Sequence, residues 1–244
     1  MINYLKSEHY RLMRQKATFL IPALLLGFVY SALGLTYFSG RGNPDFPYNN
    51  TAFIYLSTRF SFAIPLAALP FLVNYLFGSE FENGTFKNSV SYGIHRWQLF
   101  LGKLVVILIA TALLIPIVFI PYIIGVEWLM ENSGLNYLIE FLTFSSYMSL
   151  ILAGALFLAI ALRFLLQHTG AYLGVYFLLM FGVANVFGVL ANLFPAFELP
   201  FRLFPLYHIL TPVVHGWDYA IAIFLIYGTL SVLIGLRSFT RSDL

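Results

Sequence analysis

The sequence carries very little charge for its length. Only 9% of its 244 residues are Asp, Glu, Lys or Arg, whereas 60% are hydrophobic and the mean hydropathy is +0.85. A soluble globular domain carries about 25% charged residues, because its surface must be solvated. The composition therefore excludes a soluble globular domain and predicts an integral membrane protein.

Several chemical signatures are also missing. Cysteine is absent, which excludes a disulfide framework and a thiolate metal site, and no other set of metal ligands stands out. A phosphate-binding loop of the form G-x-x-x-x-G-K-[ST] is absent, since Gly102-Lys103 is followed by Leu104. Motifs of membrane-embedded enzymes are absent too, and the nearest polar cluster, His215 to Asp218, fits hydrogen-bonded structure better than a site. We predict no catalytic residues, no metal and no cofactor bound by this chain itself.

Six apolar stretches are long enough to cross a membrane, which takes about 20 residues for roughly 30 Å of hydrocarbon. They leave no room for a soluble domain. The sequence therefore predicts an all-α polytopic membrane protein with a single domain over residues 1–244. The predicted spans are residues 18–38, 60–77, 99–124, 138–162, 171–193 and 219–236.

Residues 1–17 have the pattern of an amphipathic helix. Ile2, Leu5 and Leu12 recur at helical spacing, while Lys6 and Arg14 occupy other faces. This pattern predicts an interfacial helix that lies along the inner leaflet. Two roles fit it equally: an anchor on anionic lipid, or a shelf that touches a cytoplasmic partner.

Basic residues are distributed unequally between the two sides of the predicted bundle. Short cytoplasmic loops are enriched in Lys and Arg, so the richer side is predicted to be inside the cell. Both termini are thus predicted to be cytoplasmic, in a multi-pass protein of the cell membrane. Because the Lys and Arg residues lie at the membrane border and form no extended cluster, nucleic acid is excluded as a partner. The inner side has Lys6, Arg11, Arg14, Lys16, Lys87, Arg96, Lys103, Arg163, Arg237 and Arg241, and the outer side has Arg41, Arg59 and Arg202.

Residues 79–97 interrupt the apolar sequence between the second and third spans. The pattern predicts that a helix leaves the membrane, stops at Asn83-Gly84 and restarts with Thr85 as N-cap. Phe86 and Val90 lie four residues apart and share one face of the short helix that follows. On the residues alone this segment fits an interfacial linker whose Phe86 and Val90 dip into lipid.

The order of residues in this segment resembles the first cytoplasmic loop of type-2 ABC exporter permeases. The resemblance rests on Glu80 to Lys87 followed by Arg96 and Lys103, and the six-span frame with its basic N-terminal helix is similar to that family along the whole chain. It implies that residues 79–97 are the coupling helix that docks on an ATPase subunit. The implied coupling residues are Glu80, Glu82, Gly84, Thr85, Phe86, Lys87, Val90 and Arg96.

The same resemblance implies the assembly. A six-span permease of this family is half of a twelve-span pathway, so it implies a second permease subunit, identical or homologous, and two copies of a cytoplasmic ABC ATPase. ATP and Mg²⁺ would be bound by the ATPase. We further expect Glu82 to face Arg96 or Lys103 across the turn, where a partly solvated ion pair contributes only about 0 to 1 kcal/mol.

Residues 194–216 are apolar but contain four prolines, which exclude a straight spanning helix. They are predicted to form short helices that dip into the outer leaflet, and they resemble the re-entrant helices before the last span in the same exporter class. The segment fits either an outer lid of the pathway or a plug that stabilises the dimer. The candidate outer-gate residues are Phe194, Glu198, Arg202 and His208.

Polar side chains within the spans are candidates for the transport pathway, because such groups usually face protein or water. The candidates are Asn74, Ser145 and Asn185. The alternative for each is a hydrogen bond between helices, worth about 0.6 kcal/mol.

The chain resembles most closely the branch of the family that exports bacteriocins, lantibiotics and cytolytic peptides, because its predicted loops are short. The predicted function is export of amphipathic antimicrobial or cytolytic peptides by the permease, driven by a separate ATPase. A drug or lipid exporter of the same architecture is the alternative. A passive channel or scaffold fits less well, since it would have no use for the apolar face of Phe86 and Val90.

Overall fold

The computed structural model describes residues 6–7, 10, 14, 16–43, 46–82, 95–166, 168–211 and 216–241. In this part of the chain the secondary structure is helical, apart from one isolated bridge between Asn50 and Glu131. Six stretches are long and apolar enough to cross a membrane, which confirms the predicted all-α polytopic fold. These spans are Pro22–Gly42, Thr51–Leu76, Trp97–Leu129, Leu135–Leu165, Thr169–Leu193 and Gly216–Gly235.

Ten α-helices make up the described fold. Span 2 consists of two helices and span 5 of two helices joined by a π-helical turn, and short helices lie between spans 5 and 6. The helices are α1 Lys16–Gly42, α2 Thr51–Ser61, α3 Ala63–Glu82, α4 Arg96–Leu129, α5 Leu135–Leu165, α6 Thr169–Phe177, α7 Ala184–Leu193, α8 Glu198–Arg202, α9 Pro205–Leu210 and α10 Gly216–Arg241.

The helices extend beyond the predicted spans, most of all in span 2, which begins at Thr51 instead of residue 60. Ser57 and Thr58 lower the local hydropathy, but their hydroxyl groups donate to the Ile54 carbonyl at 3.0 and 2.7 Å and are thus satisfied within the helix. A hydropathy pattern stops at such residues, whereas the helix continues through them. The helices of the other five spans likewise begin two or three residues before the predicted spans, which are residues 18–38, 99–124, 138–162, 171–193 and 219–236. The bounds of the membrane-crossing parts stay predictions.

The predicted interfacial helix over residues 1–17 lies largely outside the described residues. Of its side chains, the structure places Lys6, Ser7, Tyr10 and Arg14, all of them exposed, and the guanidinium carbon of Arg14 lies 4.5 Å from the centre of the Tyr10 ring. A cation over an aromatic face in this way is favourable. The amphipathic helix as a whole stays a prediction.

The chain divides into two compact units, and the first consists of residues 1–58 and 102–142. Its core is aromatic: the ring of Tyr55 stacks on Phe141 with centroids 4.9 Å apart, and Tyr122 packs beside both. The hydroxyl of Tyr55 donates to Glu127 at 2.7 Å. The core residues are Leu33, Ile54, Tyr55, Tyr122, Val126, Met130 and Phe141.

Two loops of this first unit are joined by backbone hydrogen bonds. The amide of Thr51 donates to the Glu131 carbonyl at 2.9 Å, and the amide of Glu131 donates to the Asn49 carbonyl at 3.2 Å. The amide of Ser133 donates to Oγ1 of Thr51 at 2.9 Å. The loop after α1 and the loop after α4 therefore hold each other in place, and both lie on the side predicted to be outside the cell.

The second unit consists of residues 59–101 and 143–244. Here α5 is central, because a face of small and aliphatic residues, including Ala155, Ala159 and Ile160, is fully buried. Helices α5 and α10 approach each other closely at Gly154, where a Cβ atom would lie 3.2 Å from the Cα of Phe224 on α10. Glycine permits such close approach of two membrane helices.

A ladder of three hydrogen bonds joins α6 to α3 within this second unit, and we call it the hydroxyl ladder. The hydroxyl of Thr169 donates to Oδ1 of Asn74 at 3.4 Å, that of Tyr172 to the Pro70 carbonyl at 3.2 Å, and that of Tyr176 to the Leu66 carbonyl at 2.9 Å. The donors lie on one face of α6 and the acceptors recur every four residues along α3. The two helices are thus antiparallel, and three hydrogen bonds along their length hold them together.

One rung of the ladder repairs a defect in α3. Pro70 has no backbone N–H, so the carbonyl of Leu66, four residues earlier, loses its helical partner. In hydrocarbon an unsatisfied carbonyl is costly, and a neighbouring helix has to satisfy it. Tyr176 does so, and its ring is fully buried. The proline is therefore tolerated in the middle of span 2 because of a side chain of span 5.

Candidate functional site

The predicted coupling segment lies at the end of α3 and the start of α4. Glu80 and Glu82 are on the last turn of α3, which runs to Glu82, and Arg96 is the first residue of α4. Residues 83–94 lie outside the described part of the chain, and with them the predicted Gly84, Thr85, Phe86, Lys87 and Val90. The expected pairing of Glu82 with Arg96 or Lys103 stays a prediction, as does the coupling helix itself.

Two of the cations assigned to the inner border are buried, which the sequence analysis did not anticipate: Lys103 is 2% exposed and Arg163 is 0% exposed. Nη1 of Arg163 donates to the Leu166 carbonyl at 2.9 Å, just beyond the end of α5. A positive charge at the carboxyl end of a helix interacts favourably with the helix dipole. The guanidinium carbon also lies 5.7 Å from the centre of the Tyr172 ring, so Arg163 links the end of α5 to the hydroxyl ladder.

Three of the four candidate outer-gate residues, Glu198, Arg202 and His208, lie on the short helices after span 5 that the spacing of prolines predicted. Pro195 opens a 3₁₀ turn over Pro195–Phe197 and Pro205 opens α9, positions where a missing N–H costs nothing. Phe194 is exposed at the end of α7, with its ring 6.3 Å from that of Phe197. We call residues 194–211 the outer segment; the remainder of the predicted 194–216 segment, residues 212–215, is not described.

Three of the four candidate gate residues meet around Arg202. Its Nε and Nη2 donate to Oε1 of Glu198 at 3.2 and 2.5 Å, and its Nη1 donates to the hydroxyl of Tyr219 on α10 at 2.6 Å. The backbone carbonyl of Arg202 accepts from Nε2 of His208 at 2.9 Å. We call this set of contacts the outer latch. The hydrogen bond from Arg202 to Glu198, and then that to Tyr219, raise the pKa of Arg202 further above its ordinary value, so the latch keeps its positive charge.

His208 is the buried member of the outer latch. Burial lowers the pKa of His208 below its ordinary value, and the positive charge of Arg202 acts in the same direction. The imidazole is therefore neutral near pH 7, with its proton on the Nε2 that faces the carbonyl. Its Nδ1 is buried and makes no hydrogen bond to any described residue.

The last helix holds the outer segment at a second place. The hydroxyl of Tyr227 donates to the Leu203 carbonyl at 3.1 Å. Tyr219 and Tyr227 are eight residues apart, about two turns, so both project from one face of α10. Carbonyls at the end of α8 would otherwise lack partners. Neither tyrosine could be predicted, because nothing in one sequence tells which hydroxyl group of a distant helix donates to a given carbonyl.

Two of the three pathway candidates, Asn74 and Asn185, have ordinary structural partners. Asn74 accepts the Thr169 rung of the hydroxyl ladder, and Nδ2 of Asn185 donates to the Phe181 carbonyl of its own helix at 2.7 Å. Oγ of Ser145 is buried and has no hydrogen-bond partner among the described residues. The structure does not bring the three together by any described contact. For Asn74 and Asn185 the observed bonds match the structural alternative, and a pathway role is not needed to explain them.

The described part of the structure therefore combines six apolar spans with an outer segment that is latched to the last helix. The charged residues between spans 2 and 3 are predicted to lie at the inner border. In comparisons with known proteins, the family described as ABC-2 family transporter protein matches residues 4–185. The match covers well over half of the chain and ends within span 5, so the outer segment and span 6 lie beyond it. No curated protein matches the sequence. Families of this kind form the membrane-spanning part of ABC transporters and imply an ABC ATPase as partner. The chain belongs to the ABC-2 transporter family, as a permease subunit.

Proposed function

We propose that this permease exports amphipathic peptides, antimicrobial or cytolytic, from the cytoplasm or the inner leaflet. The observation that supports this cargo most is how apolar the spans are: each of the six contains a stretch of 18 residues with no more than two charged side chains. A polar cargo needs polar groups along its route, whereas a peptide that itself enters the membrane does not. The short described loops, such as residues 130–134, also leave little room for an external binding domain.

The proposed working unit contains two permease chains, identical or homologous, and two ATPase subunits. Phe86 and Val90 would occupy a groove of the ATPase, with Glu80, Glu82 and Arg96 at the membrane border on either side. Family membership supports the presence of the ATPase. The copy numbers and the docking residues are proposed from the resemblance of residues 79–97 to the coupling loop of such permeases.

The proposed outer gate is the outer segment with its latch. Glu198, Arg202 and His208 contact one another, Phe194 begins the same segment, and the proposal puts all four at the end of the pathway that is predicted to open outside the cell. An ion pair between Glu198 and Arg202 within one turn contributes only about 0.3 to 0.5 kcal/mol. Such weak, exposed contacts can break and reform in a transport cycle without a large barrier.

Reconstituted vesicles test the cargo. The permease is purified with its ATPase and placed in vesicles, and ATP hydrolysis and ATP-driven uptake are measured for a cationic amphipathic peptide, a hydrophobic dye and a fluorescent lipid. We expect the peptide to raise ATP hydrolysis severalfold and to accumulate, while ATP replaced by a non-hydrolysable analogue gives no uptake. Uptake of the dye or the lipid without the peptide would replace peptide export by the drug or lipid alternative. A leak of all three without ATP would indicate a passive channel.

A further inference from the structure

Span 5 is not one continuous helix. Between α6 and α7 the backbone forms a π-helical turn over Leu178–Val183, near the middle of the span. π-turns are rare, occur mostly as single turns within α-helices and are frequent at functional sites. They are also among the few recognised causes of a sharp helix bend. The parts of span 5 on either side of the turn are held by different partners.

The inner half, α6, is clamped to α3. The hydroxyl ladder fixes it at Thr169, Tyr172 and Tyr176, at distances of 3.4, 3.2 and 2.9 Å from their acceptors. Tyr172 and Tyr176 are fully buried, and Phe177 at the end of α6 packs against Phe71 of α3 with ring centroids 5.9 Å apart. Movement of α6 along or away from α3 would break several buried polar contacts at once.

The outer half, α7, packs instead on the outer segment. The ring of Phe187 stacks on Phe204 at 5.6 Å and lies 6.1 Å from Phe197. On the next residue, Gly188, a Cβ atom would lie 3.0 Å from the ring of Phe201, so that ring lies directly against the helix backbone. Helix α7 and the two short elements that follow it, the 3₁₀ turn and α8, thus form one packed body over residues 184–204.

The π turn itself is built to bend. Glycine at position 182 adds backbone freedom, and a Cβ atom there would meet only the flexible end of Leu178, at 3.1 Å. The Phe181 carbonyl accepts from the backbone amide of Ala184 and also from the side chain of Asn185, at 2.7 Å. Backbone polarity in the turn can therefore be satisfied by a side chain that moves with the outer half.

We propose that the π turn at residues 178–183 is a joint, about which residues 184–204 swing as one body relative to the clamped pair of α3 and α6. This inference rests on the proposed function, in that it supplies the motion that opens the outer gate. The joint explains why the clamp stops at Tyr176, immediately before the turn. It also gives Asn185 a role in the joint in place of one in contact with cargo.

Such a swing would have to break the bonds that join residues 184–204 to the rest of the unit, two of which belong to the outer latch. Arg202 donates to Tyr219, Leu203 accepts from Tyr227 and the Arg202 carbonyl accepts from His208. Each bond joins residues 184–204 to a part of the unit outside that body. Helix α9 contacts α3 on one side and both α7 and α8 on the other, so it lies between the clamped pair and the body that swings. The structure therefore represents the latched position.

The size of the motion can be estimated from the length of the arm. Helix α7 has 10 residues, which is about 15 Å at 1.5 Å per residue. A change of about 20° at the turn, the scale of a sharp helix kink, would move its outer end by roughly 5 Å. Such a shift is large enough for distance measurements between two spin labels.

Pairs of spin labels test the joint. The chain contains no cysteine, so two introduced cysteines are its only labelling sites. Ile64→Cys on α3 with Leu193→Cys at the end of α7 reports across the joint, and Tyr75→Cys with Ala171→Cys reports within the clamp; all four positions are exposed. Chains are labelled, diluted with unlabelled chain and assembled with the ATPase in lipid nanodiscs. Distances are then compared without nucleotide and with ATP, Mg²⁺ and vanadate.

We expect the distance from residue 64 to residue 193 to change by about 5 Å, while that from residue 75 to residue 171 stays constant. Gly182→Ala, which stiffens the turn, should reduce the first change at least twofold. Gly174→Ala, the same substitution in α6 at a position with nothing within 4 Å, should leave it unaltered. If Gly182→Ala misfolds, the double variant with Leu178→Ala removes its one close contact.

Three results would overturn the joint: a constant distance from 64 to 193 in both states, equal changes in both pairs, or equal effects of the two glycine variants. None of them bears on the proposed cargo. That is judged separately by ATP-driven uptake in the wild-type vesicles, which can succeed with a rigid span 5 or fail with a jointed one.

Discussion

At the scale of single residues, the hydrogen bond from the Tyr176 hydroxyl to the Leu66 carbonyl has the clearest role, because it satisfies the carbonyl that Pro70 leaves without a donor. We expect Tyr176→Phe to destabilise the protein by about 1 to 2 kcal/mol, because it leaves a buried carbonyl without a partner. The thermal unfolding midpoint of the purified permease in detergent should fall by a few degrees. The loss should be much smaller when Pro70→Ala is also present, since alanine restores the N–H that bonds to Leu66.

Tyr172→Phe is the matched control. Its acceptor, the Pro70 carbonyl, lies four residues before the ordinary backbone amide of Asn74, so it keeps a helical donor when the hydroxyl is lost. The cost should be smaller than that of Tyr176→Phe and insensitive to Pro70→Ala. Equal losses for both tyrosines, or no rescue by alanine, would contradict the proposed repair of the proline defect.

His208 makes the outer segment sensitive to acid. Burial lowers the pKa of His208, so the folded protein binds fewer protons at this site than the unfolded chain. The free energy of unfolding should therefore have its full value at pH 7.5 and should decrease as the pH falls below about 6.5. In His208→Gln the side-chain amide can still donate to the Arg202 carbonyl but does not titrate, so the difference in unfolding midpoint between pH 7.5 and pH 5.5 should shrink. An unchanged difference would exclude His208 as its source.

At the scale of helices, packing in the second unit depends on Gly154. A Cβ atom there would lie 3.2 Å from the Cα of Phe224 and 3.3 Å from the Ile223 carbonyl oxygen, which are backbone atoms that cannot rotate away. We expect Gly154→Ala to separate α5 from α10 and to cost about 1 to 3 kcal/mol, the usual range for overpacking. Gly174→Ala, at an open position, should be neutral or slightly stabilising, because alanine favours helix. Equal unfolding midpoints for the two variants would refute this assignment.

Which features of the helices could be predicted follows from what hydropathy measures. The six spans were predictable, because each requires about 20 apolar residues in a row. The start of α2 at Thr51 was not, since Ser57 and Thr58 conceal their polarity by bonding to their own helix. The π turn at Leu178–Val183 was not predictable either, since its sequence is as apolar as the helices around it.

The candidate site was predictable to different degrees. The proline spacing indicated the short outer helices, and Glu198 and Arg202, four residues apart, are a pair that any helix would bring together. Their partners Tyr219 and Tyr227 could not be found in this way, because contacts between distant helices leave no periodic signal in one sequence. Asn185 is a candidate for the pathway, and its amide donates to the Phe181 carbonyl one turn earlier; a role in the pathway stays a prediction.

At the scale of the whole molecule, the orientation in the membrane is open to direct measurement. Asn132→Cys lies in the exposed loop between α4 and α5, and His95→Cys lies at the exposed start of α4. If both termini are cytoplasmic, an impermeant thiol reagent added to intact cells should label residue 132, and residue 95 only after permeabilisation. The wild-type chain, which has no cysteine, is the blank. The reverse pattern would place residues 79–97 outside the cell and would be incompatible with a cytoplasmic ATPase.

The central claim is that a partner ATPase docks on residues 79–97 and supplies the energy for transport. Co-purification of an ABC ATPase with the permease tests this claim most directly. The tagged chain is isolated from its native membrane, and the ATPase is identified by mass spectrometry and quantified. We predict that the wild type retains the ATPase, that Phe86→Asp with Val90→Asp loses at least nine-tenths of it, and that Asn88→Asp with Ser91→Asp, which adds the same charge on other faces of the predicted helix, retains it. Undiminished ATPase in the first variant would contradict the proposed coupling.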